Sequence, residues 1–313
     1  MNTTIIITIC AFFIIISFQD SSNGLLLNVF DKSFLRSNTL DNEMIYTLYT
    51  RYVYFIKYNI NVWSNNPQGV RLYNNDRSSV LSSSFDNTLP TIFATHGFMG
   101  LGDSPWITEM KTEFLMAENV NFISVDWSQC ARNIFYDQVV VCMKENAYKL
   151  GQFLIFLQRE ANLNFSNTHL IGHSLGAHMM GLATKVLPYR KAIGRVTGLD
   201  PAAPLFEHVP PSERINPHVA QFVDIIHSSI VFVGLKKPLG TVDFYPNGGF
   251  FQPECEHYNI TCHHRASQKY FINTINLSQR YKYPARQCPS VHHASKGICN
   301  GQTGFMGYES YRR

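Results

Sequence analysis

Charge is scarce in this chain. Of 313 residues only 15% are Asp, Glu, Lys or Arg, and 26 basic against 22 acidic residues leave a formal charge of +4. Lys and Arg form no run of the kind that lines a nucleic-acid groove, so the electrostatic footprint of such a partner is missing. Low charge together with 45% hydrophobic residues is the reverse of a disordered composition. Internal repeats, low-complexity tracts and Pro/Ser-rich linkers are also absent. The longest apolar stretch near the start, Ile5 to Phe18, holds only about fourteen residues and is too short to span a bilayer. No cysteines show CxxC spacing, which removes the common zinc patterns. No metal or organic cofactor is implied.

What is present points outward from the cell. The apolar stretch is followed by the polar QDSSNG, a pattern that predicts a cleaved signal peptide over about residues 1–20 with the cut between Ser17 and Gly24. Assigning Cys10 to that segment leaves six of the seven cysteines. An even count in a secreted chain predicts disulfides, and proximity pairs Cys130 with Cys142, Cys255 with Cys262 and Cys288 with Cys299. Sequons at Asn164 (NFS), Asn259 (NIT) and Asn276 (NLS) predict surface positions if they carry glycans.

Strand-like and helix-like segments alternate. PTIFATHG and NFISVDW read as strands around the helical WITEMKTEFLMAE; THLIGHS and RVTGLDP read as strands around LGAHMMGLATKVL. HVAQFVDIIHS follows as a strand, and YFINTI starts another helix. This alternation predicts an α/β domain over residues 25–313, with a mostly parallel central sheet and helices on both faces. Functional groups in such sheets gather beyond the carboxyl ends of the strands.

One serine stands in that position. Ser174 in GHSLG follows an apolar strand and opens a helix, and its flanking glycines permit a sharp turn. A serine nucleophile needs a base, and the base an acid. Asp200 ends the strand RVTGLD ahead of PAAP, with Asp224 and Asp243 as competitors. Histidines after it are His208, His218, His227, His257, His263, His264, His292 and His293; the loop-like TCHHRA favours His263 or His264. The N–H groups of Leu175 and, in THGFMG, of Phe98 would supply an oxyanion hole.

The stretches YTLYTR, THGFMGLGDSPW, VDW, THLIGHSLGAH, GLDPAAPLF, FVDIIHS, DFYPNGGFFQPEC and CHHRASQKYF together resemble the pancreatic lipase family of secreted animal lipases and phospholipases A1. The resemblance spans about residues 46–271. It implies an α/β-hydrolase fold with Ser174 as nucleophile and Asp200 as acid, and its register selects His264 over His263. One departure bears on that choice: the family shows C-x-H-x-R, whereas Arg265 here follows His264 directly.

Two further departures bear on substrate. The chain ends at Arg313 without the C-terminal β-sandwich of the larger family members, and only EHYNIT separates Cys255 from Cys262, too little for the covering helix of triacylglycerol lipases. The segment SSIVFVGLKKPLG is short as well. These traits resemble insect phospholipases A1, including those of venom, and imply sn-1 ester hydrolysis at a phospholipid membrane or micelle surface, with no obligate protein partner. A digestive triacylglycerol lipase is the nearest alternative, and a non-catalytic lipid-binding or yolk-type protein the alternative from another class. The run Ile230–Leu235 with Lys236 and Lys237 fits either a lipid-inserting loop or a buried strand.

Overall fold

Strands β1 (Ile45–Tyr49), β2 (Arg51–Tyr54), β3 (Val62–Asn65) and β4 (Val70–Leu72) precede a run of parallel ones: β5 (Thr91–Thr95), β6 (Asn121–Asp126), β7 (Thr168–His173), β8 (Arg195–Leu199), β9 (Phe222–Ile226) and β10 (Val242–Phe244). Strands β5 to β9 are buried along almost their whole length. Continuous burial of this kind requires cover on both faces and so a parallel sheet between helices. The computed structural model describes residues 44–54, 62–65, 69–276 and 282–311; the segment expected to be a signal peptide, with Cys10, lies outside the described residues.

The eight-stranded sheet runs β10-β9-β8-β7-β5-β6-β1-β4. Pairs from β5 to β10 are parallel, whereas β1 is antiparallel to both β6 and β4. This is the α/β-hydrolase fold expected above. A separate antiparallel pair joins β2 to β3, and another joins β11 (Tyr283–Arg286) to β12 (Thr303–Met306).

Each face is covered by helices whose apolar residues recur at helical spacing. On one face the helix Tyr136–Ala161 buries Val139, Met143, Ala147, Leu150, Leu154 and Leu157. Phe153 of the same helix stacks on Tyr46 of β1, with centroids 3.7 Å apart. This helix ends at Asn162, whose φ of 54° makes a left-handed cap. On the other face the helices Pro105–Ala117 and Ile260–Ile272 bring Ile107, Met110, Phe114, Phe271 and Ile272 onto Ile92, Phe122, Ile171 and Leu199 of the sheet.

Disulfides join Cys130–Cys142, Cys255–Cys262 and Cys288–Cys299, the pairing that proximity predicted. Asn164 and Asn259 are exposed, but Asn276 is only 8% exposed. That corrects the surface expectation for the third sequon. The structure decides between the two readings of Ile230–Leu235. The run is a turn rather than a strand, because Phe232, Val233 and Gly234 N–H groups all return to the Ser229 carbonyl. Leu235 is buried and only Val231, at 45%, protrudes strongly.

A buried ion pair ties the sheet to the chain's last described segment. Arg195 on β8 donates to both carboxylate oxygens of Asp224 on β9, at 2.9 and 2.7 Å, and Thr197 donates to the same carboxylate at 2.7 Å. The guanidinium also reaches the Gly307 and Tyr308 carbonyls and the Ser310 hydroxyl. Removing one partner of such a pair strands the other without solvent. Arg195→Met should therefore lower unfolding free energy by about 3–5 kcal/mol, read by urea denaturation. Adding Asp224→Asn should restore part of it; a double variant no more stable than Arg195→Met would contradict this account.

Candidate active site

The strand β7 ends at His173 and a helix, Leu175–Ala183, begins two residues later. Ser174 makes that junction with φ 59° and ψ −122°, a conformation that costs a non-glycine residue about 1–3 kcal/mol. The surroundings impose it by excluding side chains. A Cβ on Gly172 would collide with the Gly176 carbonyl, and one on Gly176 with the His96 carbonyl. A Cβ on Gly97 would fall 2.7 Å from Ser174 Cβ and 3.3 Å from the Leu175 nitrogen. The loop after β5 is thus pressed against the turn after β7, with Ser174 at the contact.

That loop is held from below. Met99 (φ 59°) donates its N–H to the Ala131 carbonyl at 2.9 Å, and Trp127, fully buried, donates Nε1–H to the His96 carbonyl at 3.0 Å. His96 Nε2 lies 3.0 Å from Asp126 Oδ1. Among the described residues, the N–H groups of Phe98 and Leu175 have no backbone acceptor. Both stand where the loop and the helix start meet.

Asp200 follows β8 directly, with φ 44° and no solvent exposure. Its Oδ1 accepts from the Ser228 and Ser229 N–H groups at 2.7 and 3.1 Å. Its Oδ2 accepts from the Ser229 hydroxyl and from His264 Nδ1, the latter at 2.6 Å. Burial works to raise this carboxyl; the His264 hydrogen bond and charge, with the bonds from Ser229 and Ser228, outweigh it and hold the group below the usual carboxylate range. A Cβ on Gly234 would lie 2.5 Å from Oδ1, so glycine there lets the Ile230–Leu235 turn close over the carboxylate.

The two candidate histidines separate cleanly. They sit not in a loop, as their setting suggested, but in the first turns of the helix Ile260–Ile272, capped by Asn259, which accepts from Cys262 N–H at 3.0 Å. Successive helical residues point about 100° apart, so only one can face Asp200. His264 does, and its side chain remains 15% exposed. His263 turns inward with no exposure. Its Nδ1 accepts from the Gln252 N–H at 2.9 Å, and its ring stacks on Phe232 with centroids 5.5 Å apart. Asp224 and Asp243, the competing acids, are engaged elsewhere: Asp224 with Arg195, Asp243 with Leu239 and Gly240 N–H groups and His227.

His173 bridges the serine turn to the histidine helix. Its Nε2 donates to the His264 carbonyl at 3.0 Å, with ring centroids 4.4 Å apart. Burial first, and then the neighbouring His264, push its pKa down to about 3, so it stays neutral at physiological pH. Among the described residues, Ser174 Oγ makes no hydrogen bond to His264. Contacts of this kind commonly tighten only when substrate binds. The supporting groups His173, Ser228, Ser229 and Gly234 were not singled out by sequence reasoning. Their one signal was adjacency: His173 precedes the serine, Ser228 closes the FVDIIHS motif, Ser229 follows it, and Gly234 lies in the segment SSIVFVGLKKPLG.

The Ser229 hydroxyl provides a test of this packing. Since the folded pKa of Asp200 is depressed, its stabilising bonds act fully above the unfolded carboxylate pKa and fade as pH falls through the folded value. Ser229→Ala should cost about 1–3 kcal/mol near pH 7, with the deficit shrinking below about pH 4. Urea unfolding at both pH values checks it; a deficit that is the same at each would contradict the assignment.

A family model described as Lipase matches residues 37–312. Lipase member H of Oryctolagus cuniculus is 37% identical over 230 residues, covering 70% of this chain and 50% of that protein. The hepatic triacylglycerol lipase of the same species is 36% identical over 272 residues, covering 76% and 53%. The pancreatic triacylglycerol lipase of Myocastor coypus is 33% identical over 235 residues, covering 68% and 51%. The chain spans about half the length of these curated relatives. The matched span takes in the Ser174 turn, Asp200 and His264, and the chain belongs to the Lipase family.

Proposed function

We propose that this chain is a secreted serine esterase of lipids that hydrolyses the sn-1 acyl ester of glycerophospholipids. The observation that carries the chemistry is the 2.6 Å contact of buried Asp200 with His264 Nδ1, behind a serine strained at a strand–helix turn. Asp200 holds the imidazole with Nε2 free to act. His264 Nε2 takes the proton of Ser174 as Oγ attacks the ester carbonyl carbon. The oxyanion is stabilised by the Phe98 and Leu175 N–H groups and by the positive end of the helix behind them. His264 then gives the proton to the leaving lysophospholipid oxygen, and water, activated by the same nitrogen, releases the fatty acid from the acyl-enzyme.

A lipid surface as partner is supported by the rim of the sheet. Met99, Leu101, Ile134, Phe135, Leu205, Val231, Phe251 and Tyr258 are exposed large apolar side chains. Except for Tyr258, in the disulfide-bounded loop, each lies in a segment following a parallel strand, on the side where the serine turn sits. Apolar groups gathered at one rim fit an interface with acyl chains. The three disulfides support an extracellular setting, and no helix among the described residues is long and apolar enough to cross a membrane.

The phospholipid preference is supported by the loop between Cys255 and Cys262. It spans a sequence separation of 7 and holds turns but no covering helix before Ile260. Triacylglycerol hydrolysis is the second reading, favoured by relatives whose names specify that activity.

The two are distinguished by incubating the protein with sn-1- and sn-2-labelled phosphatidylcholine and with triolein. Release of the sn-1 fatty acid is expected, falling about a thousandfold or more in Ser174→Ala. Release from triolein alone would overturn the phospholipid reading, and undiminished turnover in Ser174→Ala would overturn the site.

A further inference from the structure

Gln252 takes no part in the steps above, yet it is 1% exposed and every hydrogen-bonding group it carries is used. Its backbone N–H donates to His263 Nδ1 at 2.9 Å, and its carbonyl accepts from Cys255 N–H at 3.0 Å. Its side-chain Oε1 accepts from the Tyr270 hydroxyl at 2.9 Å and from Asn247 Nδ2 at 2.9 Å. Its Nε2 donates to the carbonyls of Ser228 at 2.9 Å and Pro246 at 3.2 Å. Asn247 can reach it because the PNGG turn places that residue at φ 53°.

The Ser228 contact is the informative one. That carbonyl belongs to the peptide group whose other end is the Ser229 N–H, which donates to Asp200 Oδ1 at 3.1 Å. A peptide group is planar and rigid, so a bond at its oxygen sets the direction of its N–H. Hydrogen bonds in series also polarise one another. Through the same residue, two contacts reach the helix that carries His264: one at His263, the neighbouring position, and one at Tyr270, about two turns further on.

We propose that Gln252 is a positioning residue for the Asp200–His264 pair, a single buried amide that clamps both the peptide holding the carboxylate and the helix carrying the imidazole. The proposal rests on the catalytic reading of Ser174, Asp200 and His264. It also gives the motif DFYPNGGFFQPEC a purpose: Asp243 ties down Leu239, Gly240 and His227, Gly249 accepts from Ile230 N–H at 2.9 Å, and Gln252 completes the brace beneath the acid.

Two variants separate positioning from mere filling of space. Gln252→Met keeps the length and removes every side-chain donor. Active sites are counted with a serine-directed phosphonate ester, and kcat and KM for a short soluble p-nitrophenyl ester are expressed per titrated site. We expect kcat to fall about tenfold or more with KM within about twofold. Gln252→Glu has no proton for the Ser228 carbonyl when ionised but regains a donor when protonated. Its kcat relative to wild type should therefore climb as pH falls. The other ionisable groups around this position, His263, Tyr270 and, beyond Ser228, Asp200 with His264, are present in both proteins and largely cancel in the ratio, for which Gln252→Met provides the flat baseline.

Wild-type kcat per titrated site in Gln252→Met, or a ratio for Gln252→Glu that does not change with pH, would overturn the clamp. If Gln252→Met does not fold, the pH ratio of Gln252→Glu decides alone. Ser174→Ala measured alongside keeps the two claims apart: activity surviving there overturns the catalytic reading and the clamp with it, whereas activity lost there but retained in Gln252→Met overturns the clamp only.

Discussion

An ionised carboxylate with no access to water must find its hydrogen bonds inside the protein, and Asp200 sets that requirement for everything around it. Two backbone N–H groups, a hydroxyl and an imidazole converge on its two oxygens. Each donor in turn constrains a segment. The Ser228–Ser229 turn must follow β9 closely enough to present consecutive amides. The Ile230–Leu235 run must fold back on Ser229 instead of extending as a strand, and position 234 must lack a side chain. The helix Ile260–Ile272 must be rotated so that residue 264 faces the sheet.

The same sheet carries a second buried carboxylate, and the contrast lies in what each one faces. Asp224 faces a guanidinium that occupies both of its oxygens, with Thr197 adding a third bond. Such an arrangement fixes a pair of strands and the Gly307–Ser310 segment but leaves no titrating partner to move a proton. Asp200 meets an imidazole, a group able both to accept and to donate a proton, and that ring stays 15% exposed. Both carboxylates are buried; they differ in the donor each one faces and in position, inside β9 for one and beyond the end of β8 for the other.

Features built on local chemistry could be read from the residues. GHSLG between an apolar strand and a helix predicts a strained turn because only glycine tolerates the contacts seen at 172 and 176. The ends of β5, β7 and β8 and the nearest-neighbour disulfides follow from similarly short-range signals. What escaped depends on contacts between distant segments. Ser229 meets Asp200 across a separation of 29 residues and Gln252 meets Ser228 across 24, and nothing in the spacing of a serine or glutamine announces such a bond. The surface expectation for Asn276 failed, and the Ile230–Leu235 run stayed ambiguous, for a related reason: a sequon and an apolar run describe composition, whereas burial is decided by what packs on top.

The adjacent histidines show how little separates a core residue from one that faces a buried carboxylate. His263 and His264 have the same side chain and share a helix, yet one is fully buried, stacked on Phe232 and edge-on to Phe251, while the other faces Asp200. The choice is a rotation of about 100° about the helix axis, fixed at the helix start by the Asn259 cap and the Cys255–Cys262 bond and further along by Tyr270 on Gln252. Turning the helix by that angle to bring His263 toward the carboxylate would carry His264 round to the exposed direction that Arg265 now takes and would pull the His263 ring out of its contacts with Phe232 and Phe251. Apolar packing on one side of the helix therefore selects the register of the polar pair on the other. Arg265 follows the same geometry: at the position after His264 it is carried out to the surface, so the departure from the C-x-H-x-R pattern leaves the aspartate–histidine contact unaltered.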